Sequence, residues 1–285
     1  MRFLAFEADG RKGLAVAVEG GAYHGLTEAD AAWPGDLETL IAGGFPTSAI
    51  AALRSGPAVD PAAVTVALPV RRPGKILCVG LNYAAHAQES GHEIPKVPTV
   101  FGRFATGLIA SGAGLVRPRV SDLLDYEAEL AVVIGKAGRD IAKEHALEHV
   151  AGYTIFNDGS VRDWQLATPQ WTVGKNFDGT GALGPVLVTP DELPPGAAGL
   201  HLQLRLNGEV LQDTMTDDLI FGVADLIAFL STAMTLEPGD IIATGTPSGV
   251  GGARKPQVWM KPGDVCEVEI EGIGILSNPI VQQQD

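Results

Sequence analysis

In the segment DYEAELAVVIG, Asp125 to Gly135, a strand with its period of two puts Tyr126, Ala128, Leu130, Val132 and Ile134 on one face and Asp125, Glu127 and Glu129 on the other. Neighbouring carboxylates on one face repel, a cost tolerated in open water or around a cation. From this segment alone, a solvated strand end and a metal site account for the pattern equally well. A third acid favours the cation: the strand GYTIFND ends at Asp158, at a strand-to-loop corner of the kind where binding residues gather. Three carboxylates without a nearby histidine or cysteine suit a hard dication that keeps some water, Mg²⁺ or Mn²⁺ ahead of Zn²⁺. Their combined charge exceeds that of one dication, so an anionic substrate needs cationic help. Lys175 in VGKNFDG and Arg103 in VFGRFAT are candidates, although each taken singly reads as a surface charge.

The remaining chemistry lies in NYAAHAQES. His86 and Glu89, spaced i, i+3, share a helical face, so the carboxylate can orient the imidazole as a general base; most such pairs are plain surface ion pairs. Three other patterns carry less. GTGALG, Gly179 to Gly184, matches a dinucleotide fingerprint, but Pro185 and VLVT follow where a helix must begin, so a glycine-rich loop is expected. His145-Ala-Leu-Glu148-His149 is a literal H-x-x-E-H, yet Lys143, Glu144 and Glu148 make it a solvated helical face rather than a zinc site. TGTPSGVGG, Thr244 to Gly252, lacks the Lys-Ser/Thr pair of a P-loop but can offer backbone N–H groups to a small carboxylate.

These residues need a core to hold them. The 285 residues, 46% of them apolar, are enough to build one without staples. With 34 acidic against 20 basic side chains the net charge is −14, which repels nucleic acid and anionic membrane surfaces and suits a cytoplasmic protein handling small molecules. Cys78 and Cys266 are isolated and read as buried small side chains. Glu7 and Asp9 interrupt any signal-peptide pattern, and the most apolar stretch, Leu219 to Leu236, contains Asp225, Ser231 and Thr232, as a buried soluble helix does.

Residues 1–69 read as a small N-terminal domain: strands RFLAFEA and LAVAVEG joined at Asp9-Gly10, then helical pieces at Leu37 to Ala42 and Ser48 to Leu53. Residues 70–285 form the larger part, where AELAVVIG, GYTIFND, PVLVT, LQLRLNG, DIIATG and VCEVEI are short strands between Gly and Pro turns. Three helices are expected there: YAAHAQES capped by Asn82 and ended by Gly91, IAKEHALEHV capped by Asp140, and the apolar stretch capped by Asp217 or Asp218. The class is α+β and rich in β structure.

In their order, CVGLNYAAHAQE, DYEAELAVVIGK, GYTIFNDGSVRDWQ, GKNFDGTGALGPVLVT, LNGEVLQ, LEPGDIIATGTPSGVG and KPGDVCEVEIEGIGIL resemble the fumarylacetoacetate hydrolase family over about residues 70 to 280. The resemblance implies a mixed β-roll behind a small N-terminal α/β domain, in a homodimer. It puts metal ligands at Glu127, Glu129 and Asp158, a water-activating dyad at His86 and Glu89, an active-site lysine at Lys175, and substrate contacts at Gln165 and Thr246. Arg103 stands where many members have lysine, and its planar fork implies altered recognition of a group beyond C4. The implied activity is a Mg²⁺- or Mn²⁺-dependent hydrolase cleaving a C–C bond in a 2,4-dioxo acid, an acylpyruvate or a 2,4-diketo-3-deoxy sugar acid, to pyruvate or a related 2-oxo acid and a carboxylic acid. The rivals are an oxaloacetate-type decarboxylase or a 2-hydroxy-diene-dioate isomerase on the same site, and a non-catalytic acid-binding protein with a structural cation.

Overall fold

The β-branched run AELAVVI forms the strand Ala128–Ile134, every residue of which is buried. A computed structural model describes residues 1–284. Leu130, Val132 and Ile134 join one apolar cluster, while Ala131 and Val133 join a second on the opposite face. The strand therefore lies in the middle of a layered structure, and of the two readings of its acidic row the solvated strand end does not hold.

It belongs to a 12-stranded mixed sheet. Val150–Asp158 pairs with it antiparallel on one side and Ile241–Ala243 on the other. Ile76–Gly80 runs parallel to Ile241–Ala243, and Thr99–Arg103 closes that edge antiparallel. On the far side Gly181–Val188 pairs with Val150–Asp158 and then with Arg2–Ala8, so the sheet continues into the first 69 residues. The two N-terminal strands turn at Asp9 and Gly10, both at positive φ, as a tight hairpin requires. Helices Leu37–Ala42 and Thr47–Arg54 lay Leu37, Leu40, Ile41 and Leu53 over Ala131, Val133 and Leu187.

The opposite face packs on a five-stranded sheet that includes His201–Leu206, Glu209–Met215 and Val265–Ile270, and on helix Val223–Ala233. The architecture is α+β and β-rich, as the strand spacing indicated.

Helix boundaries differ from expectation. Ala84–Glu89 is helical, but Asn82 does not cap it: its amide donates to Phe221 O and Thr244 O and accepts from Phe221 N. The turns at Lys143–His149 are 3₁₀ and start beyond Asp140. The apolar helix starts at Val223 after Gly222, because Asp218 is engaged by Thr214 Oγ1 and Met215 N. GTGALG is partly loop and partly the start of strand Gly181–Val188, with no helix after it.

Candidate active site

Strand register brings the three acids together. Ala128 pairs with Asn157, and Asp158 N donates to Glu127 O at 2.9 Å, so Glu127 and Asp158 stand opposite each other with Glu129 diagonal on the same face. All three are buried, and one oxygen from each lies within 4.8 Å of the others. Asn157 Oδ1 accepts from Glu127 N at 3.0 Å and fixes the strand entry.

Cations answer two of the acids. Lys175 Nζ sits 2.7 Å from Glu127 Oε2 and 2.6 Å from Asp158 Oδ2. Arg162 reaches Glu127 Oε1 at 2.6 Å and Asp125 Oδ2 at 2.8 Å. Burial opposes the charge on Glu127, but Lys175 and Arg162 outweigh it and hold the carboxyl down at about 2. Burial likewise opposes the Lys175 ammonium, and Asp158 and Glu127 outweigh it and raise its pKa. Glu129 makes no ion pair among the described residues, and the more distant Lys175 charge only partly offsets its burial. It accepts only from Gly245 N, at 2.9 Å, and burial together with Asp158 and Glu127 pushes its carboxyl well above the usual range.

That uncompensated buried carboxylate, in an all-oxygen donor set, is what a hard dication would satisfy, so the residues fit a metal centre.

The dyad lines a cavity of about 510 Å³, as do Glu127 and Glu129. His86 Nδ1 lies 2.9 Å from Glu89 Oε1, and both Glu89 oxygens also receive Gly249 N, at 3.0 and 2.9 Å. Glu89 thus orients the imidazole and ties its helix to the Thr244–Gly252 loop. The wall includes His86, Glu127, Glu129, Lys175, Gln165 and Thr246.

The model of the fumarylacetoacetate (FAA) hydrolase C-terminal domain matches residues 75–281. The chain belongs to the fumarylacetoacetate hydrolase family. It is 39% identical to the mitochondrial oxaloacetate tautomerase Fahd2a of Rattus norvegicus, over 99% of this chain and 92% of the relative. Among solved structures it is similar to a fumarylacetoacetate hydrolase from the psychrophile Exiguobacterium antarcticum, with 36% identity, a TM-score of 0.88, and coverage of 99% of this chain and 100% of that one. It is also similar to the maleylpyruvate hydrolase of Sphingobium sp. SYK-6, solved with manganese(II) and pyruvate, with 29% identity, a TM-score of 0.82, and full coverage of both chains. These relatives of a shared family carry different enzyme names. The rat protein is named as mitochondrial, so the expectation of a cytoplasmic chain gains no support from it. No helix among the described residues is long and apolar enough to cross a membrane.

The family's residues converge here with one difference. Arg103 is absent from the cavity wall; its guanidinium bonds Asp158, Gly159 O at 3.1 Å and Thr180 Oγ1 at 2.8 Å. It holds a metal-ligand candidate from behind, so the expected contact with a group beyond C4 does not match its position. Asp125 also leaves the acidic row, accepting from Gly251 N and Gly252 N at 2.8 and 2.9 Å and from Arg162. Arg162 is the residue that sequence reasoning missed: it lines the cavity, and its Nη2 is buried with no hydrogen-bond partner among the described residues. Its one signal was its place in GSVRDWQ, three residues before Gln165 on the same short helix. The H-x-x-E-H segment makes no site: His145 pairs with Glu148, and His149 bonds Lys136 O at 2.8 Å.

Proposed function

We propose that the chain is a Mg²⁺- or Mn²⁺-dependent enzyme that interconverts the keto and enol forms of a 2-oxo diacid of the oxaloacetate class. The carrying observation is that His86, oriented by Glu89, lines the same cavity as Glu127, Glu129 and Lys175. A base and charge-holding groups lining one cavity are what enolisation next to a carbonyl needs. Similarity along nearly the whole chain to a protein named oxaloacetate tautomerase supports this class over the acylpyruvates that the motifs pointed to first.

Glu127, Glu129 and Asp158 would hold the dication, which supplies a Lewis acid for the 2-oxo group. The chain's own residues move the proton. With the Nδ1 side of His86 engaged by Glu89, Nε2 is left to accept a proton from C3. The electron pair of that C–H bond becomes the C2=C3 bond, and the carbonyl pair moves onto the C2 oxygen. Lys175, together with the Gln165 amide, stabilises this developing charge, and protonation of the oxygen completes the enol. The reverse path returns the keto acid. The unpartnered Nη2 of Arg162 meets a substrate carboxylate in this reading.

A second reading, C–C hydrolysis of an acylpyruvate, is favoured by the cavity, which has room for more than a four-carbon acid, and by the likeness to maleylpyruvate hydrolase. There His86 deprotonates a water that attacks the C4 carbonyl, and the pyruvate enolate leaves. The homodimer implied by the family is part of the proposal and is checked by light scattering. To test the reaction, the enol absorbance of oxaloacetate and the release of pyruvate are followed side by side, with an acylpyruvate as the second substrate. Accelerated enol decay without pyruvate supports the tautomerase; pyruvate from the acylpyruvate at a higher kcat/KM selects the hydrolase.

A further inference from the structure

The motif LNGEVLQ has no part in the chemistry above, yet its glutamine reaches the site. Strand Glu209–Met215 is at the edge of the five-stranded sheet, and its pairing with His201–Leu206 slips: Arg205 faces Val210 while Leu204 faces Gln212. The extra residue, Leu211, makes a bulge, and Leu211 and Gln212 are consequently both buried where alternation would expose one. Bulges commonly re-aim a side chain in this way.

Gln212 Oε1 accepts from Ala128 N at 2.9 Å, between the two glutamates of the triad. Its Nε2 donates to Pro247 O at 2.9 Å and to Thr246 Oγ1 at 2.8 Å. The two backbone partners fix the orientation of the amide, because an N–H can only donate and a C=O can only accept. Thr246 must therefore accept from Gln212. Among the described residues its hydroxyl donates to no protein acceptor, and Thr246 lines the cavity.

We infer that Gln212 is a positioning residue that makes Thr246 a dedicated hydrogen-bond donor to the carboxylate of the bound acid. This rests on the reading of the cavity as a site for an anionic 2-oxo acid. Gln212→Glu keeps the acceptor toward Ala128 and replaces the donor with an acceptor, which draws the Thr246 proton away from the cavity. Gln212→Met has similar length and no charge; it removes both hydrogen bonds without adding repulsion.

The test is calorimetric titration of the Mg²⁺-loaded protein with oxalate, a small dicarboxylate, with Mg²⁺ affinity measured in parallel. Gln212→Glu and Thr246→Val should each weaken oxalate binding at least tenfold, about 1.4 kcal/mol. The double variant should be no weaker than the worse single one, and Mg²⁺ affinity should stay at the wild-type value. Thr246→Ser, which retains the hydroxyl, should bind oxalate like wild type. Additive losses, or a parallel fall in Mg²⁺ affinity, overturn the inference, as does a wild-type protein that binds no oxalate. Should Gln212→Glu fail to fold, Gln212→Met decides: a loss of oxalate affinity that disappears in the Thr246→Val background supports the inference, and unchanged affinity overturns it. Oxalate binding requires no turnover, so a protein that behaves as expected here but leaves oxaloacetate enol untouched contradicts the functional reading alone.

Discussion

His86–Glu89 and His145–Glu148 are the same local device in two settings. Both are spaced i, i+3, and in both Nδ1 stands 2.9 Å from the carboxylate. The side chains of the first pair are 9% and 22% exposed, and those of the second 63% and 61%. The first faces a cavity lined by buried acids and is anchored by Gly249 N; the second faces water, with Lys143 and Glu144 close by in sequence. In the proposed reaction the difference between the pairs comes from what the fold places around each, since spacing and hydrogen-bond length are shared. Water screens the exposed pair, while burial preserves the field around the other.

Removing the acids that share the cavity should do the most damage. Glu127→Ala or Glu129→Ala should weaken Mg²⁺ affinity by more than about 100-fold and abolish turnover, whereas Glu148→Ala should change neither. Parallel titrations of the three variants check this.

Breaking the pairs themselves comes next. His86→Ala and Glu89→Ala should each lower kcat by about 10² or more with Mg²⁺ affinity retained, and the double variant should lose no more than the worse single one. Small, additive losses would make the pair an ordinary ion pair like its exposed counterpart.

Arg103 tests the support behind the triad. Arg103→Lys loses the fork that joins Asp158, Gly159 and Thr180, and should cost about 1–3 kcal/mol of stability and weaken Mg²⁺ binding more than it raises the substrate KM. Denaturant melts with a metal titration measure both.

The exposed pair should show the smallest effect, and one confined in pH. The hydrogen bond and charge of Glu148 raise the His145 pKa, so that contribution is full below the ordinary value of 6.5 and lost as pH rises through the raised one. His145 lowers the Glu148 pKa, so the partner contribution is present above 4.5 and lost as pH falls through the lowered value. Glu148→Gln should therefore lower Tm slightly near about pH 5.5 and not at about pH 8.5, with kcat unchanged at both.

The metal-ligand candidates and the dyad were legible because they sit inside short local patterns, and strand register alone joins Glu127 to Asp158. The strands at the centre of the large sheet were legible for the same reason, as apolar runs between turns, whereas Tyr23–Thr27, Thr99–Arg103 and Gly274–Gln282 were not read as strands. Contacts across the chain were not. Asn82 had the residue type of a cap, but a partner 139 residues away claimed its amide. Arg103 carried a charge suited to substrate, but the edge strand Thr99–Arg103 ends behind Asp158. Gln212 reaches the site only through a bulge, which the period-two pattern of its strand does not announce.

The proposal tested is that His86, set by Glu89 in the cavity that Glu127 and Glu129 also line, moves a proton at C3 of an oxaloacetate-class acid. Its most direct measurement is the decay of enol-oxaloacetate absorbance with wild type, His86→Ala and Glu127→Ala at one Mg²⁺ concentration that saturates the wild type, with pyruvate assayed in the same samples. The account predicts fast decay without pyruvate for wild type and a rate near the uncatalysed one for both variants. Unaltered catalysis by His86→Ala, or pyruvate formed in step with the decay, would contradict it.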